Sequence, residues 1–414
     1  MTSMRPHASY KTSDASWIDQ IPTHWEERPL FALTRERREP NTGMRENNLL
    51  SLSFGNIIRK DINTNKGLLP ESFETYQIVE RGDVILRLTD LQNDQRSLRS
   101  ALCSERGIIT SAYIALAVEG INPSFFSYLM RAYDVQKIFY SMGGGLRQSL
   151  NYYDLRRMTT LVPGVEEQDV IVAFLDRETA RIDSLINKKR RFVELIRERL
   201  DALIDSVISN HCLERVRFEN LAHRVERRVS LSDQAEFTRL GLLNRGRGIF
   251  RKPVADEEEM GDSTFYTVED GDLIISGQFA WEGAVAMATH EEVGCVVSHR
   301  YPIYRAVDGI KTEYLLAFLR SDLGTHILND ASRGSAGRNR PLNISRLEKE
   351  KIPVPDLAFQ EVIARAIIFE RDVKRMMDHS IELLKEHRSA LITAAVTGKI
   401  DVRSNASPSL EAAA

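Results

Sequence analysis

Side chains that can form specific hydrogen bonds to nucleic acid cluster in three stretches of the sequence. Residues 87–96 follow a β-like run and combine Arg, Gln and Asn, while residues 143–153 and 333–343 add glycines to the same mixture. Arginine can bind guanine edges, and asparagine and glutamine can bind adenine edges. A glycine-rich backbone lets amides approach phosphates, which arginine neutralises. The predicted DNA-binding residues are Arg87, Thr89, Gln92, Asn93, Arg96, Arg147, Gln148, Asn151, Tyr152, Gln278, Arg333, Arg338, Asn339, Arg340 and Asn343.

Each stretch also fits an ordinary solvated surface turn, and the sequence alone assigns no single residue to a base. Recurrence of such stretches at corresponding places in both halves of the chain favours the binding interpretation. The basic run 188–191 is more typical of the solvent-facing side of a helix, with phosphate contact as the alternative. Arginine makes up 43 of the 56 basic residues, and the codon usage of a GC-rich genome explains this as well as DNA recognition does.

Motifs for catalysis are missing from the sequence. There is no Pro-Pro pair, which an Asn-Pro-Pro-Tyr motif for adenine methylation would need, and Gly398-Lys399-Ile400 does not complete a phosphate-binding P-loop. A nuclease-like pattern of Pro355-Asp356 with Asp372 and Lys374 falls on a predicted helix rather than on a sheet. The nine histidines are scattered, and no Cys/His cluster has zinc-ligand spacing. We therefore predict no catalytic residue, no metal ligand and no bound cofactor.

The composition is that of a globular protein. Of its 414 residues, 42% are hydrophobic and 28% are charged, and no apolar run approaches the roughly 20 residues that span a bilayer. Residues 1–10 lack the apolar core of a secretory signal, and three distant cysteines suggest a reduced compartment. We expect a cytoplasmic protein without membrane contact. A formal net charge of −3 means that any nucleic-acid site depends on local placement of basic groups.

An internal repeat is the most informative feature of the chain. Segments of the first half return in the same order in the second half, with Gly82 recurring as Gly271 after 189 residues and Gln168 recurring as Gln360 after 192 residues. The matching pairs are 82–85 with 271–274, 107–111 with 294–298, 120–131 with 309–320, 150–168 with 342–360 and 194–204 with 382–392. Chance similarity would not keep this register, so the chain contains a duplication.

Each copy consists of a mixed part followed by one long helix. Short β-like runs and one helical segment, near 123–140 and 313–328, form the mixed part. Residues 166–210 and 356–397 contain no Gly or Pro and carry apolar residues at helical spacing. A helix of about 40 residues is about 60 Å long and cannot bury its apolar stripe alone. We therefore expect the two helices to pair in antiparallel orientation, with the mixed parts at opposite ends.

The predicted fold class is α+β: two similar mixed α/β domains separated by two long antiparallel helices that form a coiled-coil spacer. The predicted boundaries are a flexible N-terminus at 1–15, a first domain at 16–164, a first long helix at 165–210, a second domain at 211–355, a second long helix at 356–400 and a disordered tail at 401–414.

Several motifs together resemble the specificity subunits of Type I restriction–modification systems. They are Ser16-Trp17-Ile18 with Ile21-Pro22 and His24-Trp25-Glu26, then Val162-Pro163 to Gln168, Ile171 to Asp176 with Ile182-Asp183, and finally Leu391 to Ile400. The resemblance covers about residues 17–402. The second copy departs from it at Leu357-Ala358-Phe359-Gln360, where the paired glutamates of the first copy are replaced.

The resemblance implies a DNA-reading protein without chemistry of its own. In that family each mixed domain is a target-recognition domain for one half of a bipartite double-stranded DNA site. The helices set the gap and dock two copies of an adenine methyltransferase (modification) subunit, and motor–nuclease (restriction) subunits then join. S-adenosylmethionine, ATP and Mg²⁺ are expected only on those partners. Two alternatives are a stand-alone nuclease that depends on Asp372 and a coiled-coil adaptor that binds proteins rather than DNA.

Overall fold

The computed structural model describes residues 5–63, 70, 72–94, 97–142, 149–230, 236–261, 263–332 and 340–403. The described chain divides into two compact units. The first comprises residues 1–187 and 381–414, and the second comprises residues 188–380. None of the helices in the described part combines the length and apolar composition needed to cross a membrane.

The first unit is built from short strands with three helices of its own. Its strands are β1 Tyr10–Thr12, β2 Gln20–Pro22, β3 Glu26–Pro29, β4 Thr34–Arg37, β5 Glu39–Pro40, β6 Leu50–Ser53, β7 Asn56–Arg59, β8 Gln77–Val79, β9 Val84–Leu86, β10 Ser100–Leu102, β11 Gly107–Ile109, β12 Ile114–Val118 and β13 Thr159–Val162. Its helices are α1 Pro123–Val135, α2 Ile138–Met142 and α3 Tyr152–Leu155. The strands form sheets β10-β9-β12-β4, β11-β8-β5, β13-β3, β1-β2 and β6-β7.

The second unit follows a similar plan. Its strands are β14 Cys212–Arg217, β15 Ala222–Val225, β16 Phe237–Leu243, β17 Gly248–Ala255, β18 Phe265–Thr267, β19 Leu273–Ile275, β20 Val285–Met287, β21 Val296–Ser298, β22 Ile303–Ala306 and β23 Lys351–Pro355. Its helices are α5 Phe218–Leu221, α6 Glu257–Met260, α7 Thr312–Arg320, α8 Asp322–Ala331 and α9 Ile344–Lys349. The sheets are β15-β22-β19-β20, β17-β16-β21-β18 and β14-β23.

The two units share one topology, which confirms the duplication. The order β4-β12-β9-β10 in the first unit matches β15-β22-β19-β20 in the second, and all these neighbours are antiparallel. Side chains recur as well. Gln168 accepts a hydrogen bond from the backbone N of Asn122 (2.7 Å) and donates to the Pro163 carbonyl (2.8 Å). Gln360 makes the equivalent bonds to Lys311 and Pro355.

The two long helices predicted from the sequence are confirmed as α4 Val165–His211 and α10 Leu357–Val396. In the first unit, buried residues near the start of α4, such as Phe174, share a core with Leu391 and Val396 near the end of α10. In the second unit, Ile204 near the end of α4 shares a core with Ile363 near the start of α10. The start of α4 thus shares the first-unit core with the end of α10, and the end of α4 shares the second-unit core with the start of α10, so each helix buries apolar residues in both cores.

The N-terminal segment is more structured than the sequence indicates. Residues 10–12 of the predicted flexible region form β1, which pairs with β2, and Ala15 is buried. At the other end, Asp401 forms a backbone bridge with Arg5, and Val402 is buried in the first unit. Both segments belong to the first unit, where Arg5 and Asp401 pair through their backbones and Val402 joins the core. The rest of the predicted tail, 404–414, lies outside the described residues.

Candidate nucleic-acid interface

Nine of the fifteen predicted DNA-binding residues lie in the described part of the chain. Arg96, Arg147, Gln148, Arg333, Arg338 and Asn339 lie outside it, as do the glycines of the two glycine-rich stretches that precede Arg147 and Arg338. The predicted residues that the structure describes thus lie on the flanks of both glycine-rich stretches, in the segment that leaves β9 and just after β19.

The segment after β9 presents polar side chains to solvent. Gln92 and Asn93 are exposed, while Arg87 and Thr89 are half-buried. The backbone turns at Asp90, whose φ of 56° is unusual for a residue with a side chain. The Asn93 amide donates to the Asp90 carboxylate at 2.7 Å, which holds this turn in shape.

A buried arginine that the sequence analysis missed organises this segment. Arg99 is fully buried and donates to the backbone carbonyls of Arg87 (3.1 Å) and Thr89 (2.8 Å), and also to those of Asp90 and Asp94. Its Nε donates to the Tyr140 hydroxyl at 3.0 Å. Buried charges need several such partners to be tolerated. Arg99 thus fixes the path of the chain that carries the candidate base-reading side chains.

A second buried group supports Arg99 from helix α1. The Asp134 carboxylate accepts a hydrogen bond from the Arg99 backbone N at 2.6 Å, and this residue is only 1% exposed. Burial raises the pKa of Asp134, because the charged form loses its hydration. The segment after β9 is therefore anchored to a helix of the first-unit core rather than left as a free loop.

The predicted residues near α3 have identifiable structural bonds. Asn151 is the N-cap of α3, where its side chain accepts from the backbone N of Tyr153 and Asp154 in a capping box. The Tyr152 hydroxyl donates to the Thr34 carbonyl at 2.9 Å. Tyr153, which the prediction left out, is 68% exposed, and the Arg156 guanidinium stacks 3.7 Å from its ring centre. Such a ring with an arginine can stack on an unpaired base or lie along a groove.

The second unit has an N-cap asparagine at the equivalent place. Asn343 is the N-cap of α9 and accepts from the Arg346 backbone N at 3.1 Å. Gln278 is exposed just after β19. Arg340 lies 5.0 Å from the ring centre of Trp281, and its Nη1 donates to Asn329 at 3.4 Å.

Backbone hydrogen bonds bring the two predicted stretches together within each unit. In the first unit, Leu150 N donates to the Leu88 carbonyl at 2.9 Å. In the second unit, Leu342 N donates to the Gly277 carbonyl at 2.8 Å. Each unit therefore combines the segment after its strand, β9 or β19, with the segment before its short helix, α3 or α9. We call these two polar surfaces the first and second reading surfaces, after the role predicted from the sequence. The first comprises the described residues of 87–94 and 149–156, and the second comprises the described residues of 277–281 and 340–346.

An aspartate immediately before each of the strands β9 and β19 is held by arginine. Asp83 accepts from Arg37 Nε at 2.5 Å, and this hydrogen bond raises the pKa of Arg37. The corresponding Asp272 has no exposed side-chain area and contacts both Arg227 (2.8 Å) and Arg305 (2.9 Å). These pairs brace β9 and β19 from within each unit.

The nuclease-like pattern has an ordinary structural explanation. Asp372 and Lys374 lie on α10, where Asp372 contacts Arg371 at 3.1 Å and Lys374 contacts Asp378 at 3.0 Å. These are surface ion pairs between neighbours on one helix. The arrangement gives no support to cleavage chemistry at Asp372.

The described residues contain one group with the composition of a metal site, which the sequence analysis missed. His7, His24 and Glu167 place one ligand atom each within 4.8 Å of one another. They lie far apart in the sequence, so no ligand spacing could have revealed them. The signal is tertiary: the N-terminal segment folds back onto the first turn of α4.

Comparisons with known proteins identify the fold. No protein-family model and no curated protein matches the sequence. Among solved structures, a chain from a study of complex assembly and conformational transition of the type I R-M system matches with a TM-score of 0.59, at 16% identity, over 92% of this chain and 99% of that chain.

Two further structures match less closely. The HsdS subunit from Thermoanaerobacter tengcongensis has a TM-score of 0.45 at 16% identity, over 92% of this chain and 98% of that chain. The S subunit of a Type-I restriction-modification system from M. genitalium has a TM-score of 0.46 at 12% identity, over 94% and 98%. The match with a TM-score of 0.59 shows that the chain has, over nearly its whole length, the fold of that chain of the type I R-M system.

Proposed function

We propose that the chain is the DNA sequence-specificity subunit of a Type I restriction–modification complex. Each unit reads one half of a bipartite double-stranded DNA site through its reading surface. The long helices set the gap between the half-sites and dock the methyltransferase subunits.

The proposal rests on one observation: the polar surface formed by the segment after a strand and the segment before a short helix occurs in both units. Both units place an exposed amide side chain after the equivalent strand, and both join it through a backbone hydrogen bond to a segment capped by asparagine. A two-part target needs two such readers at a separation that the protein geometry defines. The fold shared with the type I R-M structure, over 99% of that chain, supports the same conclusion.

Docking of partner subunits is supported by apolar side chains on the long helices. Both helices carry large apolar residues that the chain leaves exposed to solvent: Leu185, Phe192 and Leu195 on α4, and Phe369, Met376 and Leu383 on α10. On each helix these residues recur at spacings of three or seven and so lie along one face, and a contiguous exposed apolar surface typically marks a protein interface. Two copies of the modification subunit are the proposed partners, and restriction subunits complete the complex.

In this proposal the chain itself carries out no reaction. S-adenosylmethionine, ATP and Mg²⁺ bind to the partner subunits, and the complex acts on chromosomal DNA in the cytoplasm. In this proposal the chain contributes selection of the site.

Co-expression with the neighbouring methyltransferase subunit tests the proposal. We expect N6-methyladenine at a single two-part motif of genomic DNA, and loss of this methylation when the chain is omitted. Sequencing that detects modified bases reports the motif directly. Absence of motif-specific methylation, with both proteins folded and associated, would favour the protein-binding adaptor instead.

Substitutions on the two reading surfaces provide matched controls for each other. Arg87→Ala should relax selectivity in one half-site only, and Arg340→Ala should relax it in the other half-site only. A good bidentate arginine contact is worth about 1–3 kcal/mol of discrimination per base pair. Binding to a library of variant sites measures both effects. If neither substitution, nor Arg147→Ala or Arg338→Ala, changes DNA affinity or its salt dependence, the reading surfaces are not DNA contacts.

A further inference from the structure

His7, His24 and Glu167 come from three separate segments of the first unit and converge on one point. His7 precedes β1, His24 lies in the turn between β2 and β3, and Glu167 lies in the first turn of α4. The His24 Nε2 and Glu167 Oε2 atoms are 2.8 Å apart, and the two imidazole ring centres are 5.5 Å apart. All three potential ligand atoms lie within 4.8 Å of one another.

The burial of the His7 side chain, without hydrogen-bond partners among the described residues, indicates a bound ligand. Its side chain is only 2% exposed, yet neither ring nitrogen has a hydrogen-bond partner among the described residues. The nearest carboxylate oxygen, on Asp401, is 3.9 Å from Nδ1, which is too far for a hydrogen bond. A buried polar group without a partner is costly, and a bound ion is one of the accepted explanations.

The surroundings of the three residues complete the chemistry of a metal centre. Two imidazoles and one carboxylate form a common ligand set for Zn²⁺, with water in the fourth position. Histidine ligands usually have a carboxylate as an outer partner of the second ring nitrogen. The Asp401 carboxylate, 3.9 Å from His7 Nδ1, would take this role by closing about 1 Å, and Arg403 holds Asp401 with bonds of 2.9 and 2.6 Å.

The geometry fits Zn²⁺ after a small adjustment. Ligand atoms about 2.0–2.1 Å from a tetrahedral ion are roughly 3.3 Å from one another. The three ligand atoms lie within 4.8 Å of one another, so a pair at that limit would close by about 1.5 Å. The His24 side chain is 44% exposed, so it can move and also leaves a route for the ion to enter.

We propose that His7, His24 and Glu167 bind one Zn²⁺ ion per chain, with Asp401 as the outer-shell partner of His7. The ion joins the N-terminal segment and the β2–β3 turn to the start of the long helix α4, so its role is structural. The proposal is independent of DNA reading.

Metal binding by the full chain tests this directly. After treatment with a chelator, the wild-type protein should bind one equivalent of Zn²⁺ in calorimetry and retain it through dialysis, as measured by elemental analysis. Its melting temperature should rise with Zn²⁺. Mg²⁺ should not bind, because it prefers six oxygen ligands.

Variants locate the ion. His24→Ala and Glu167→Gln should weaken Zn²⁺ binding by more than about 100-fold, since loss of an outer-shell partner alone costs about 10–100-fold. Asp401→Asn should weaken it by about 10–100-fold. His223→Ala, at an exposed histidine of β15, is the matched control and should bind as the wild type does.

Two results would overturn the proposal. One is wild-type protein that binds no stoichiometric Zn²⁺ although circular dichroism shows that it is folded. The other is a folded His24→Ala variant with unchanged affinity, which would place the ion elsewhere in the chain.

Discussion

At the scale of single residues, the first reading surface depends on one buried cation. Arg99→Met keeps much of the side-chain volume but leaves the carbonyls of Arg87, Thr89 and Asp90 without their donor. Each unsatisfied buried group costs about 1–3 kcal/mol, so we expect the free energy of unfolding of the first unit to fall by about 3 kcal/mol or more. Urea unfolding followed by the fluorescence of Trp17 and Trp25, with Trp281 replaced by Phe, measures this loss.

The matched control for Arg99 is an exposed arginine of the same unit. Arg35 has a side chain that is 77% exposed and contacts Glu119, so Arg35→Ala should change the stability by less than about 0.5 kcal/mol. If Arg99→Met were equally mild, the buried arginine would not organise the segment after β9.

A buried thiol gives a pH-dependent prediction at the same scale. Cys103 is fully buried, and burial raises the pKa of its thiol to about 11. A raised folded-state pKa favours the neutral thiol. Its contribution to stability is therefore present below pH ~9 and is lost as the pH rises through ~11. In a Cys212→Ser, Cys295→Ser background, a thiol reagent should label the folded protein at pH 8 very slowly and the urea-unfolded protein at once. Rapid labelling of the folded protein would contradict the burial.

Single residues also show where sequence reasoning stops. Arg99 is one of 43 arginines, and its burial and its hydrogen bonds, including those with Asp134 and Tyr140 more than 30 residues further on, distinguish it only in the folded chain. The sequence did single out Asn151 and Asn343, and the structure gives both a capping role that an Asn-x-x-Asp pattern at Asn151 could have indicated. Their contact with bases stays a prediction.

At the scale of elements, the end of α10 is fixed by one glycine. Gly398 has a φ of 72°, and a Cβ atom there would overlap the ring of Pro22. Gly398→Ala should therefore destabilise the first unit by about 2–4 kcal/mol, from left-handed backbone strain together with overpacking. Gly120 is a matched control, because it has a φ of 69° with open space around it. Gly120→Ala should cost only about 1–2 kcal/mol in the same thermal or urea unfolding experiment.

The long helices were predictable and several of the strands were not, for a physical reason. Helix signals are local: absence of Gly and Pro over 166–210 and 356–397 and an apolar repeat suffice. A strand such as β1, with only three residues and little burial, exists because β2 pairs with it. The three-stranded sheet β11-β8-β5 likewise depends on partners distant in the sequence. Pairing of this kind leaves little trace in a single sequence.

At the scale of the whole molecule, the duplication was the decisive signal. The repeat in the sequence predicts that the two halves share one fold, even where their single elements are hard to predict. The equivalent hydrogen bonds of Gln168 and Gln360 give a structural reason for the recurrence of glutamine. Each glutamine ties a loop of its unit to the start of a long helix. The His7, His24 and Glu167 group has no counterpart in that repeat signal, which is why only the folded chain brings it to notice.

The proposed function makes the long helices a ruler, and their length can be changed. Four residues inserted into α4 between Lys188 and Phe192, at the boundary of the two units, with four more in the facing part of α10 between Lys374 and Asp378, add about one helical turn, or about 6 Å. The Lys189 Nζ atom lies 3.9 Å from Met377 Sδ, so residues near 189 on α4 face residues near 377 on α10. We expect the preferred gap between half-sites to grow by about two base pairs at 3.4 Å each, while both half-site sequences stay the same.

Methylation sequencing of cells that express the variant complex measures gap and half-sites together. Arg191→Ala, which removes ion pairs with Glu194 and Glu198 in the same stretch without changing its length, should alter neither. An assembled, active insertion variant that kept the original gap would show that the helices join the units without setting the spacing of the DNA site.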